Sequence, residues 1–252
     1  MLPGVRDATV DVETADGVAN AYLTQPGHDG DHPGVLFLMD AYGLRPRIEE
    51  MADRIAQHGY VVLAPNVFYR AGRDPIPELP DLSDPDARAS FWKGLRPLFE
   101  QLTPDRISSD GGAYLDYLDK LAPGPLAVTG YCMGGRLGWR IAATHPDGVA
   151  ALAGFHVGGL VSDEPGSPHR SASELRAELY LGFADQDPSM SAEQIETLRE
   201  ALDQAGVRYR AEVYEGAMHG YTMSDTPAYN EAAAERHFRE LFSLLERTVA
   251  AR

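Results

Sequence analysis

The chain has one cysteine, Cys132, in 252 residues. A lone thiol cannot close an internal disulfide, so the fold must rest on its own core. Basic residues are also scarce: 22 Lys and Arg stand against 38 Asp and Glu, a net charge of −16. Nucleic acid requires a basic stripe and anionic membranes attract basic clusters, so neither partner is expected. No apolar run reaches the roughly 18 residues that a membrane helix needs. Met1 to Asp7 lacks a basic segment followed by an apolar core, so no signal peptide is expected and the cytoplasm is the default location. Three motifs are missing as well. There is no Gly-Lys-Ser/Thr, no GxGxxG after the first strand and no HExxH, which argues against nucleotide binding and zinc hydrolysis.

What is present reads as an α/β protein. Hydrophobic residues make up 44% and charged residues 24%, enough to bury a large core, and residues 1–252 are expected to form one domain. Thr9–Thr14 and Val18–Thr24 alternate around Asp16-Gly17 and predict an N-terminal hairpin. Short, continuously apolar runs at Val35–Met39, Tyr60–Ala64, Leu126–Thr129, Val149–Phe155 and Glu178–Phe183 predict strands buried on both faces. A last strand is expected at Arg208–Tyr214. Helical spacing appears at Ile48–His58, Phe91–Leu102, Pro104–Leu121, Arg136–Thr144, Ala192–Ala205 and Tyr229–Val249, and residues 65–85 read as a long loop. Alternating strands and helices predict a mostly parallel sheet with helices on both faces. Ligands bind beyond the carboxyl ends of such strands.

The chemistry concentrates at Gly130-Tyr131-Cys132-Met133-Gly134-Gly135, between a strand and a helix. This is the setting of a nucleophile elbow, with Cys in place of the usual Ser. A turn that sharp needs small residues two positions to either side, and the helix N-terminus favours the thiolate. A thiol nucleophile needs a base and an orienting acid, in the order nucleophile, acid, His. His219 follows the last strand and is the expected base; of the other seven histidines, only His156, at the end of a strand, is a rival. Asp185 is the expected acid, with Asp187 the alternative or a cap for the next helix. The amides of Met133 and of Ala41, after the first buried strand, are candidate oxyanion donors. Asp40 would set a negative charge near the thiol. Tyr42, Tyr69, Arg70, His156 and Tyr221 are candidate substrate contacts.

At these residues, and at Gly182–Asp185, Ala217-Met218-His219-Gly220 and Gly59–Asn66, the chain resembles the dienelactone hydrolase family of α/β-hydrolases over about Thr9 to Glu246. The resemblance implies the α/β-hydrolase fold, a Cys132-His219-Asp185 triad, hydrolysis of an enol-lactone such as dienelactone, and no cofactor. It also adds Arg88 to the candidate substrate contacts, as a carboxylate-binding position. The expected partner is a small ester or lactone, and the chain a monomer or small homo-oligomer. The alternative is a broad carboxylesterase or thioesterase of the same fold. Two features depart from the family's pattern: Asp40 stands where a Glu is usual, and Gly220-Tyr221-Thr222-Met223 carries no Arg after the histidine.

Overall fold

The computed structural model describes residues 4–250, so the first three residues of the Met1–Asp7 stretch lie outside the described residues. Its centre is an eight-stranded sheet in the order β1-β2-β4-β3-β5-β6-β7-β8. The strands are β1 (Val5–Thr14), β2 (Gly17–Pro26), β3 (Gly34–Leu38), β4 (Val61–Pro65), β5 (Leu126–Tyr131), β6 (Val149–Phe155), β7 (Glu178–Gln186) and β8 (Tyr209–Met218). β1 and β2 form the expected hairpin, and β2 joins β4 antiparallel. From β4 to β8 every pairing is parallel. β3, β4 and β5 are buried along their whole length, which explains why they read as unbroken apolar runs.

Among the described residues, six α-helices cover the two faces. α1 (Pro46–Ala56) and α6 (Glu231–Thr248) lie together, joined by Arg54 donating 2.6 Å bonds to both oxygens of Glu235 and by His58 stacked on Phe242. On the other face α3 (Pro104–Leu121) meets α4 (Met133–Thr144), where Arg140 donates to Ser108. α5 (Ala192–Ala205) starts in a Ser191–Gln194 capping box and ends at Gly206 in the left-handed region, as its sequence suggests. α2 (Pro85–Phe99) begins six residues earlier than its apolar spacing indicated. Asp84 accepts from the N–H groups of Asp86 and Ala87, and Pro85 takes the first helical position, so the cap sets the start. The loop before it accordingly runs from 66 to 84, and it contains a 3₁₀ turn at Tyr69–Ala71. Among the described residues, no helix is long and apolar enough to cross a membrane.

Two glycines pack directly against backbone under the β5–α4 turn. A Cβ on Gly130 would sit 2.3 Å from the carbonyl oxygen of Gly134, and one on Gly134 would sit 2.1 Å from that of Leu38 in β3. Both obstacles are backbone and cannot rotate away. Gly134→Ala should therefore lower stability by at least about 2 kcal/mol, an overpacking cost that moves Tm down by roughly 4–8 °C. At the exposed Gly94 of α2, by contrast, an added Cβ would meet nothing within 4 Å. Gly94→Ala should raise stability by about 0.5–1 kcal/mol through helix propensity alone. Thermal unfolding of the two variants checks both signs; a Gly134→Ala protein as stable as the parent would contradict the packing argument.

Candidate active site

Each of the last four parallel strands delivers one side chain to a common cleft from the first position past its end. Cys132 follows β5, His156 follows β6, Asp187 follows β7 and His219 follows β8. Cys132 has φ 53° and ψ −117°, a left-handed φ that is costly for a residue with a Cβ. Its N–H donates to Phe155 at 3.0 Å and its carbonyl accepts from Gly135 at 3.2 Å, so both flanks of the turn are held. The Gly130–Gly134 approach described above is what lets the chain reverse so abruptly.

A continuous polar chain runs through the cleft. Cys132 Sγ is 3.0 Å from His219 Nε2, and His219 Nδ1 is 2.6 Å from Asp187 Oδ2. The other oxygen of Asp187 accepts from the N–H of Ser189 at 2.9 Å and from its hydroxyl at 2.5 Å. The Asp187 side chain is only 2% exposed. Burial pushes its carboxyl up, but the bonds from His219 and Ser189 outweigh that and leave it below the usual carboxylate range. His219 responds in the opposite sense. Burial disfavours its charge, yet Asp187 and Cys132 more than compensate and raise it to about 10. The arrangement thus favours a charged imidazolium beside the Asp187 carboxylate.

Asp185 does not take the place expected of it. It is exposed, and its carboxylate accepts from the N–H of Gly216 at 3.0 Å. The cause is the length of β7, which runs past Phe183 to Gln186 through an irregularity in its pairing with β8 between Ala184 and Gln186. The residue just beyond the strand is therefore Asp187, two positions later than the apolar run suggested.

Cys132, His156 and His219 line a cavity of about 250 Å³ together with Asp40, Ala41 and Tyr42 from the end of β3. Its remaining wall is largely apolar: Leu82 and Trp92 from the α2 region, Met218 and Met223 from the stretch around His219, and Pro227 and Ala228. Sequence reading missed Trp92 and the 223–228 wall, because an apolar residue on an amphipathic helix or loop carries no mark of facing a cleft. Neither the Ala41 nor the Met133 amide donates to a protein acceptor among the described residues, and Met133, as the first residue of α4, has no intrahelical partner. Asp40 is buried, but its oxygens bond to Arg45, at 2.7 and 3.0 Å, and to the N–H of Tyr42, at 3.0 Å. Burial pushes its carboxyl upward against the pull of Arg45.

His156 is fully buried with φ 41°; its Nε2 lies 2.8 Å from the Thr222 hydroxyl, and its ring meets that of His219 edge-on at 5.3 Å. Burial holds it well below the ordinary histidine range, so it stays neutral beside the His219 charge.

Three expected substrate contacts fall elsewhere. Tyr69 is buried, with its hydroxyl 2.6 Å from Thr14 and donating to Asp110 at 3.0 Å. Arg70 grips Asp110 with bonds of 2.7 and 2.9 Å and donates to Asp16 at 2.8 Å. Both are committed to a buried carboxylate on α3, away from the cleft. Tyr221 is fully buried, stacks on Tyr214 and donates to the carbonyl of Gly182 at 3.1 Å, so it supports the floor behind His156. Arg88 does line the cavity, and it donates to the carbonyl of Leu82 at 3.2 Å. Among the described residues, no three His, Cys, Asp or Glu side chains gather as metal ligands.

Known proteins share this arrangement of strands and sequence. The profile of the "Dienelactone hydrolase family" matches residues 19–249. The "Putative carboxymethylenebutenolidase" of Salmonella typhi is 30% identical over 224 residues, covering 85% of this chain and 77% of that protein. The protein of the same name from Synechocystis sp. is 26% identical and covers 89% of this chain and 90% of its own length. A crystal structure from Klebsiella pneumoniae, described as a dienelactone hydrolase on the same provisional footing, superposes with a TM-score of 0.84 at 22% identity, over 96% of this chain and 99% of the other. A dienelactone hydrolase-like promiscuous phosphotriesterase from metagenomic libraries gives 0.76 at 20% identity, over 98% and 100%; both structures speak to the fold, which is that of α/β-hydrolases. The chain belongs to the dienelactone hydrolase family.

Proposed function

We propose that the chain hydrolyses a small ester or lactone through a covalent thioester on Cys132. The observation that carries this is the unbroken Cys132–His219–Asp187 relay, 3.0 and 2.6 Å, at the carboxyl ends of parallel strands of one sheet. The names of the curated relatives point to lactone hydrolysis, and one continuous cluster of buried residues from Val12 to Val249 supports a single domain.

The chemistry follows from the geometry. The Cys132 thiolate attacks the carbonyl carbon, and the C=O electron pair moves onto oxygen. The amides of Ala41 and Met133 are the free donors suited to that oxyanion. Collapse expels the alkoxide or enolate, which takes the proton from His219 Nε2 and leaves the acyl thioester. A water then gives its proton to His219 and attacks the thioester, and Cys132 departs as thiolate. Asp187 holds the imidazole in one tautomer and orientation and stabilises its charge throughout.

The cleft favours a substrate that is mainly apolar. Arg70 is paired elsewhere, no arginine stands in the Gly220–Met223 stretch after His219, and Arg88 is the one Lys or Arg lining the cavity among the described residues. An aromatic and thioether wall suits a small acyl group or lactone ring, with at most one carboxylate near Arg88.

Four measurements follow. Cys132→Ala should lose at least about a thousandfold in kcat while keeping its fold, the scale for removing a nucleophile; retained turnover would end this reading. Asp187→Asn should reduce kcat/KM by roughly a hundredfold or more, whereas Asp185→Asn should leave it within about threefold. The pH profile adds a sign. Asp187 and Cys132 hold the His219 imidazolium up to about 10, so the alkaline limb of kcat/KM, set by loss of its proton, lies high in the parent. Removing Asp187 lowers the His219 pKa, and the limb should move to lower pH. An unmoved limb would show that Asp187 does not control His219. Finally, Arg88→Ala should raise KM for a carboxylated lactone and leave a neutral p-nitrophenyl ester unchanged; equal effects on both would remove Arg88 from substrate recognition.

A further inference from the structure

Arg45 is only 11% exposed and is committed entirely to the neighbourhood of the cleft. One edge of its guanidinium donates to both oxygens of Asp40, at 2.7 and 3.0 Å. The other edge donates to both oxygens of Asp225, at 2.6 and 3.2 Å, and Nη1 also reaches the carbonyl of Gly43 at 3.2 Å. Asp40 in turn accepts the N–H of Tyr42, and its own carbonyl accepts the N–H of Gly43 at 3.3 Å. The peptide enclosed by these bonds is that of Ala41. Two residues along, Arg47 donates to the carbonyl of Thr222 at 2.7 Å, so the start of α1 also grips the segment that follows His219.

A buried ion network is weak evidence for stability, because desolvating the charges cancels much of their attraction. Its location is more telling. A planar guanidinium that satisfies two carboxylates at once fixes their relative positions, which a point charge cannot do. Here the two carboxylates belong to the loop after β3 and to the 223–228 wall, the two sides of the cavity.

We propose that Arg45 is a positioning residue for the reaction at Cys132: by clamping Asp40 and Asp225 it holds the Ala41 amide in place as an oxyanion donor. This rests on the Cys132 mechanism above. Loss of the clamp raises the barrier to the tetrahedral intermediate without impairing the thiolate or ground-state binding. The test uses the full chain with p-nitrophenyl acetate for turnover and iodoacetamide for the thiol, since alkylation needs the thiolate but develops no oxyanion.

Arg45→Gln is expected to lower kcat roughly a hundredfold, the scale for an oxyanion donor, with KM and alkylation rate within about threefold of the parent. Arg45→Lys keeps the charge but cannot bridge both carboxylates, and should fall roughly tenfold in kcat with alkylation again unchanged. Parental kcat in Arg45→Gln overturns the proposal, as does a kcat loss matched by an equal loss of alkylation, which would mark a general collapse of the site. If Arg45→Gln does not fold, Arg45→Lys decides by the same two criteria. Activity surviving in Cys132→Ala would instead defeat the mechanism itself, so the two failures are told apart.

Discussion

The start of α4 lies against the end of β3 with no side chain between them. Gly134 sits where any Cβ would penetrate the carbonyl of Leu38, and Gly130 sits where one would strike the backbone of Gly134. This contact lets the chain reverse within one residue at Cys132, and it forces the left-handed φ found there. It also brings the β3 loop, with Asp40, Ala41 and Tyr42, beside the first turn of α4. Cys132, the candidate oxyanion amides and one wall of the cavity are thus set by a single backbone approach, and the surrounding core supports the strain this imposes.

The rest of the site is assembled by the parallel register of β5 to β8. Parallel strands of one sheet end at the same edge, so the first residues past them converge. Cys132, His156, Asp187 and His219 all occupy that position. Two of them are histidines with rings 5.3 Å apart, and burial treats them differently. His156 has only the Thr222 hydroxyl and is held neutral, while His219 has two acidic partners and is held charged. The contrast comes from depth as well as partners, since His156 is fully buried while the His219 side chain keeps 31% of its surface exposed.

For a chain of net charge −16, the cleft is balanced locally. Asp187 faces His219, and Asp40 faces Arg45, which also takes Asp225. Arg70 shows the same pairing away from the cleft, where Asp110 and Asp16 occupy it. Such pairing is why an arginine near a motif in sequence is a poor guide to substrate recognition: a buried carboxylate competes for it before any ligand arrives.

The sequence by itself determined the α/β alternation, the elbow at Gly130–Gly135 and the pairing of Cys132 with His219. These rest on local constraints: apolar runs that only a doubly covered strand tolerates, glycines at fixed offsets, and a histidine directly after a strand. It also placed Asp40, Ala41, Tyr42, Arg88 and His156 near the cleft. Tertiary structure decided what depends on lengths and partners across the chain. β7 continues beyond its apolar run because β8 pairs with it, and that extension gives Asp187 rather than Asp185 to His219. Tyr69, Arg70 and Tyr221 were drawn away by Asp110 and by the carbonyl of Gly182, contacts 39 to 41 residues distant in sequence. Arg45 met Asp225 across 180 residues. Local pattern fixes where a strand begins and which face is buried; which polar groups find one another is settled only when remote segments compete for the same donors and acceptors.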